Sequence, residues 1–254
     1  MSAAVPLAAA LLLGASATAV GVPSTPASLG VAAWPARVVV AAPGHTTIHV
    51  SNPGDDAVVV DAVAWGYALD VRGRPLMTAT GHWLRVAPAR LKLPANGSAE
   101  LGVTVAKPRG AAPGDHAALL LLTTRPRPGR RVVARLRLGV VVVARVPGRL
   151  VRRLVVGQLR IAHRPRSTVV DVVVANRGNV DEWIGARRLS IRLLRRGAPV
   201  ATLWSAPRRL LARSQGLVRV SCPRIVHGRV TAVVRLSRPR DGVAVLRRTL
   251  RLRL

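Results

Sequence analysis

The sequence predicts an all-β fold, with two tandem β-sandwiches following an apolar amino-terminal segment, and three observations carry that expectation. Half of the 254 residues are hydrophobic, mostly Val, Leu and Ala, with no Phe and one Tyr; β-branched Val favours half-buried strands over helices. Short apolar runs recur between Pro/Gly/Asn/Asp turn signals. The layout of the first half returns in the second. A chain of this length can bury a substantial core.

The amino terminus, "MSAAVPLAAALLLGASATAVGVPSTPASLG", combines an apolar run with the small-x-small sites Ala15-Ser16-Ala17 and Ala17-Thr18-Ala19. That is the pattern of an export signal, although the usual basic start is missing. The run from Ala3 to Val22 approaches membrane-spanning length, so an uncleaved anchor is the alternative reading. Residues 1–31 are therefore expected to be signal and short linker, with Pro23 to Ser28 as a flexible leader.

Between Pro35 and Val146 the apolar runs predict strands at Arg37 to Ala41, Thr46 to Ser51, Ala57 to Leu69, Trp83 to Val86, Ala99 to Ala106, Ala117 to Thr124 and Arg131 to Val143. "APGH", "NPGDD", "VRGRP", "PANGS", "KPRGAAPGD" and "RPRPGR" supply the turns. Seven strands in about 110 residues suit a sandwich of immunoglobulin type. The second half predicts strands at Leu150 to Val156, Leu159 to His163, Thr168 to Ala175, Arg188 to Leu194, Val200 to Trp204, Gly216 to Val220, Arg229 to Leu236 and Val243 to Leu252. "VSNPGD" (50–55) and "VANRGN" (174–179) share V-x-N-x-G-[DN]. The expected units are 32–146 and 147–254, each immunoglobulin-like, meeting near Pro147-Gly148.

Chemistry is sparse. Only 10 acids occur, and Asp55, Asp56, Asp70, Asp115, Asp181 and Asp241 are expected to cap turns. No G-x-S-x-G, H-E-x-x-H or phosphate-cradling glycine loop is present. His45 and His49 share a strand face; an exposed polar face is expected over a metal pair completed by Asp55 or Asp56. His116 is expected in a turn. The one cysteine, Cys222, excludes an internal disulfide and is expected to be a small buried hydrophobe. No catalytic residue, metal or cofactor is expected, and the chain is read as a non-enzyme.

The stretches from Ala36 to Gly73 and from His82 to Thr124 resemble the amino-terminal immunoglobulin-like domain of the WxL-interacting protein family. Asn52 ending a strand, the Pro-x-x-L-x-L corner from Pro88 to Gly97 and the "PGDH" turn before Ala117 carry the likeness. The resemblance implies an exported bacterial surface protein that binds peptidoglycan. The same corner is similar to the first domain of periplasmic pilus chaperones. That similarity implies a module that grips a partner's terminal carboxylate with a basic pair, of which Arg37 would be one member.

The formal charge of +30 is uneven. Residues 1–146 hold 15 Lys/Arg against 6 acids, and 147–254 hold 25 against 4. Leu189, Ile191 and Leu193 alternate with Arg188 and Arg192, and Leu250, Leu252 and Leu254 oppose Arg247, Arg251 and Arg253. Such alternation places guanidinium groups along one sheet face. Arg188, Arg192, Arg247, Arg251 and Arg253 are accordingly the candidate polyanion-binding residues, although an Arg-rich codon bias alone would also supply arginine.

The leading expectation is a binding protein of the cell envelope that contacts peptidoglycan or another anionic cell-wall polymer. The competing one is a chaperone-like or adhesion-associated module that binds another surface protein by strand pairing at a sheet edge. No nucleic-acid partner is expected, because base-stacking aromatics are scarce; the five Trp and one Tyr are expected in cores and at sheet ends. A membrane is expected as partner only through an uncleaved amino terminus.

Overall fold

The computed structural model describes residues 30–79, 82–125, 135–185, 187–238 and 242–252. The expected signal segment, the turn "RPRPGR" and Arg253 lie outside them in whole or in part. All regular structure among the described residues is strand, and no helix there is long and apolar enough to cross a membrane.

The first sandwich comprises β1 (Ala32–Trp34), β2 (Arg37–Ala41), β3 (Gly44–Ser51), β4 (Val58–Leu69), β5 (Pro75–Thr78), β6 (Leu84–Ala87), β7 (Arg90–Leu93), β8 (Ser98–Val105), β9 (Gly114–Thr124) and β10 (Arg137–Val146). One sheet runs β1-β3-β8-β6; the other runs β2-β10-β9-β4-β5, with β7 also on β4. Every pairing is antiparallel except β2 with β10, which is parallel. Period-two alternation sends Ile48, Val50, Leu101 and Val103 from one sheet, and Val60, Leu120, Leu122 and Val142 from the other, into a common core.

The second sandwich comprises β11 (Leu154–Arg164), β12 (Ser167–Asn176), β13 (Glu182–Ile184), β14 (Leu189–Arg195), β15 (Ala198–Trp204), β16 (Arg208–Leu210), β17 (Gln215–Cys222), β18 (Gly228–Arg238) and β19 (Gly242–Leu252). Sheet β11-β12-β17 faces sheet β15-β14-β18-β19, and β13 with β16 forms a short ribbon. Its core is separate: Val170, Val172, Val174, Leu189, Ile191, Leu193, Val234 and Leu236 meet there with Cys222, which is 2% exposed. The predicted break between Val156 and Leu159 is a register shift within one strand.

The Asn-Gly echo is structural. In the first unit the Asn52 Nδ2 donates to the carbonyls of Asp56 and Pro94, while its Oδ1 accepts from the Gly54 amide. In the second, Asn176 Nδ2 donates to Val180 and Leu211, and its Oδ1 accepts from Gly178. Each Asn is at most 2% exposed, and each satisfies backbone groups that a buried corner would otherwise strand.

Candidate functional site

The first feature with binding chemistry is an open strand edge. Val141 donates its amide to the Ala36 carbonyl, and Ala42 donates to the Arg145 carbonyl. The odd-numbered residues of β10 therefore turn their backbone toward β2. β2 covers β10 only from Val141 to Arg145. Before that, Arg137 to Val140 pair with β9 alone, and Arg137 and Gly139 direct their amides and carbonyls to an edge where no described strand lies. Unpaired edge groups of this kind template another chain.

The outward face of the same sheet is apolar. Val141, Leu119 and Trp65 stand in one cross-strand row, and Gly139, Leu121 and Val63 in the next. Val63 is 49% exposed, with Val39 and Trp65 each at 39%.

A buried ionic bracket joins this sheet to the second sandwich. Asp115 is the second residue of β9, and its fully buried carboxylate accepts from Arg145 Nε and Nη2 at 2.7 and 2.9 Å and from the Asp181 amide at 2.9 Å. Asp181 meets Arg37 at 2.5 Å and accepts the Ala212 amide at 2.9 Å. Asn179 donates to the carbonyls of Pro113 and Arg149 and accepts from Val151, while its own carbonyl takes the Asp115 amide. Gly114 sits at φ +117 there, and a Cβ on it would lie 2.1 Å from the Asn179 carbonyl, so only glycine fits. A second contact forms at Val71, whose carbonyl accepts from the Leu217 amide and from Arg208.

The electrostatics follow from burial and partners. Burial pushes the Asp115 carboxyl up, but the Arg145 fork, the Asp181 amide and the charge of Arg37 outweigh it and hold it below the usual carboxylate range. Arg209 is pushed down by burial and then by the like charge of Arg37; its guanidinium lies 5.2 Å from the Trp183 ring centre. Beside the bracket an open groove of about 1190 Å³ is lined by Tyr67, Arg85, Lys107, Arg109, His116 and Arg213, among others.

Several expectations need correction. Asp115 and Asp181 do not cap turns but tie the sandwiches together, because the start of β9 and the loop leading into β13 meet across the interface; Asp70 does cap its turn, accepting the Arg74 amide. The tryptophans are not confined to cores and sheet ends: Trp34, Trp65, Trp183 and Trp204 are 70%, 39%, 47% and 50% exposed, since Val, Leu and Ala already fill both interiors. Arg37 is not free to grip a carboxylate from outside, being held by Asp181. Arg145 and Asn179 were not singled out by the sequence; the repeated Asn-Gly turn around Asn176 was the nearest signal to Asn179.

Of the candidate polyanion residues, Arg192 and Arg247 stand in one outward row on either side of Val233. Arg251, on β19, is in register with Arg229 of β18. Arg188 is engaged by the Ser237 and Trp183 carbonyls. His45 and His49 are both exposed, His49 standing 3.4 Å from Glu100 and against Trp34; no group of three metal-ligating side chains occurs among the described residues.

No protein-family model and no curated protein matches the chain. Among solved structures it is similar to a chain from a chaperone–tip adhesin complex of CFA/I fimbriae biogenesis, at TM-score 0.52 and 10% identity, over 86% of this chain and 98% of that one. It is likewise similar to the class 5 fimbriae chaperone CfaA, at TM-score 0.51 and 10% identity, over 89% of this chain and all of that one. The shared fold is the two-sandwich, immunoglobulin-type one. These matches overturn the expectation of a peptidoglycan or wall-polymer binder and give the WxL-interacting resemblance no support. The chaperone similarity is the one they support.

Proposed function

We propose that the chain is an exported, chaperone-like binding module that holds a protein subunit of a bacterial surface fibre by strand pairing at the β10 edge. The unpaired backbone at Arg137 and Gly139 carries this reading, because it offers an extended partner segment hydrogen bonds that no described strand takes. The two adjacent outward rows that hold Val63, Trp65, Leu119 and Val141 add an apolar bed for the rest of the partner. The fold shared with fimbrial chaperones supports it. With Arg37 bound to Asp181, the grip is assigned to the edge and the apolar face, not to an arginine anchor. The units are placed at 32–146 and 147–254, with the binding edge in the first.

Co-expression of the tagged chain with surface-fibre subunits encoded beside it, followed by native mass spectrometry, tests the proposal. A one-to-one complex that survives high salt and is lost in Arg137→Pro is expected, since proline deletes an edge amide without touching the β9 pairing. A complex that Arg137→Pro leaves intact, or that dissolves in salt, refutes edge pairing.

A further inference from the structure

The outward face of sheet β15-β14-β18-β19 is cationic and apolar at once. In register across it stand Thr202, Arg192, Val233 and Arg247, and next to them Trp204, Ser190, Arg235 and Val245. Val243 and Val245 are 55% and 57% exposed, and Trp204 50%. Arg229, Arg235 and Arg247 are also exposed. No acid of the described residues lies on this face: Asp171, Asp181 and Glu182 are elsewhere, each paired with an arginine. Arg192, Arg235 and Arg247 make no ion pair among the described residues.

We propose that this face docks on the surface of an anionic phospholipid bilayer. Three features select that partner. Four adjacent strands make a platform about 15 Å wide, suited to a plane and not to a threaded polymer. Unpaired guanidinium groups complement lipid phosphate and are attracted by the negative surface potential. Exposed Val and Trp between the charges have no use for a purely ionic partner, whereas indole and aliphatic side chains settle into the headgroup region. The face belongs to the second sandwich and the open β10 edge to the first, so either can fail without the other.

The test is co-sedimentation of the full chain with phosphatidylcholine vesicles, with and without 30 mol% phosphatidylglycerol. The readout is the ratio of the two affinities, which cancels any contribution of the amino-terminal segment. A preference for anionic vesicles is expected, falling on the order of a hundredfold in Arg192→Gln/Arg235→Gln/Arg247→Gln, from roughly fivefold per charge at the surface. Arg160→Gln/Arg166→Gln/Arg224→Gln removes the same charge elsewhere on the second sandwich and should keep most of the preference. The Trp204 emission, isolated by difference against Trp204→Phe, should shift to the blue on binding. Val243→Ser/Val245→Ser, altering only exposed side chains, should weaken binding while retaining its salt dependence, and it carries the test if the triple Gln variant does not fold. No anionic preference, equal losses in both triple variants, or tighter binding to a DNA duplex than to the vesicles overturns the proposal.

Discussion

Replacing Asp115 with Ala removes a carboxylate that holds two Arg145 nitrogens, at 2.7 and 2.9 Å, and the Asp181 amide at 2.9 Å. Breaking one side of a fully buried pair costs about 3–5 kcal/mol. Here the Asp115 side chain is wholly buried but Arg145 is 36% exposed, so the freed guanidinium regains water and the charge term falls to about 2 kcal/mol. The stranded Asp181 amide adds about 1–2 kcal/mol. A total of about 3–4 kcal/mol corresponds to a Tm lower by about 10 °C in a chain of this size. Asp171 supplies the comparison, because it holds Arg219 in the same two-nitrogen fork at 2.8 and 2.7 Å but within one sandwich and with side chains 21% and 51% exposed. Asp171→Ala should scarcely move Tm. Differential scanning calorimetry of the three proteins decides the matter. Asp115→Ala should also separate the unfolding of the two sandwiches, since its carboxylate spans them. If Asp115→Ala and Asp171→Ala shift Tm equally, burial is not what strengthens the bracket and the reasoning fails.

Gly114→Ala should weaken the same interface, because its Cβ meets a backbone oxygen at 2.1 Å, whereas Gly197→Ala, also at positive φ but with nothing within 4 Å, should cost only the backbone strain of about 1 kcal/mol; urea unfolding measures both. Asn176→Ala and Asn52→Ala each delete the same buried corner and should each cost about 2–4 kcal/mol, in equal measure if the corners are equivalent; a large inequality in urea midpoints would break the equivalence. The Asp115, Asp61 and Asp171 carboxyls are all held below their ordinary value. Their contribution is present above the unfolded carboxylate pKa of about 4 and is lost as pH falls through the lower folded values; Tm should drop on acidification below about pH 4, and less steeply in Asp115→Ala.

The long strands were legible because period-two alternation is written locally: β2, Arg37–Ala41, was predicted to the residue. The Asn52 and Asn176 corners were legible for the same reason, since side chain and turn lie within a few residues. The strands missed were β1, β5, β13 and β16, of 3 or 4 residues each. Such segments carry too little alternation to announce themselves and exist because a longer neighbour supplies their hydrogen bonds. β5, exposed at every position, carries no burial pattern at all. The bracket was illegible for a different reason: Asp115 and Asp181 are 66 residues apart, and nothing in their local sequence differs from a turn Asp.

The placement of the bracket connects it to the open edge. Asp115 lies on β9, Arg145 on β10 and Arg37 on β2, so the ionic contacts grip the three strands that define the edge. Arg37 is the first residue of β2 and pairs with Val141; its tie to Asp181 fixes where coverage of β10 begins. One residue row further along, the backbone of Gly139 is open. The second sandwich thus sets how much of β10 the first can offer, although it contributes no strand to that sheet. This also accounts for the use made of so few acids: Asp61, Asp115, Asp171, Asp181 and Glu182 each hold an arginine. The positive charge on the outer faces is what remains after those pairings, while the bracket itself, Asp115 and Asp181 against Arg145 and Arg37, is balanced within a chain with a formal charge of +30.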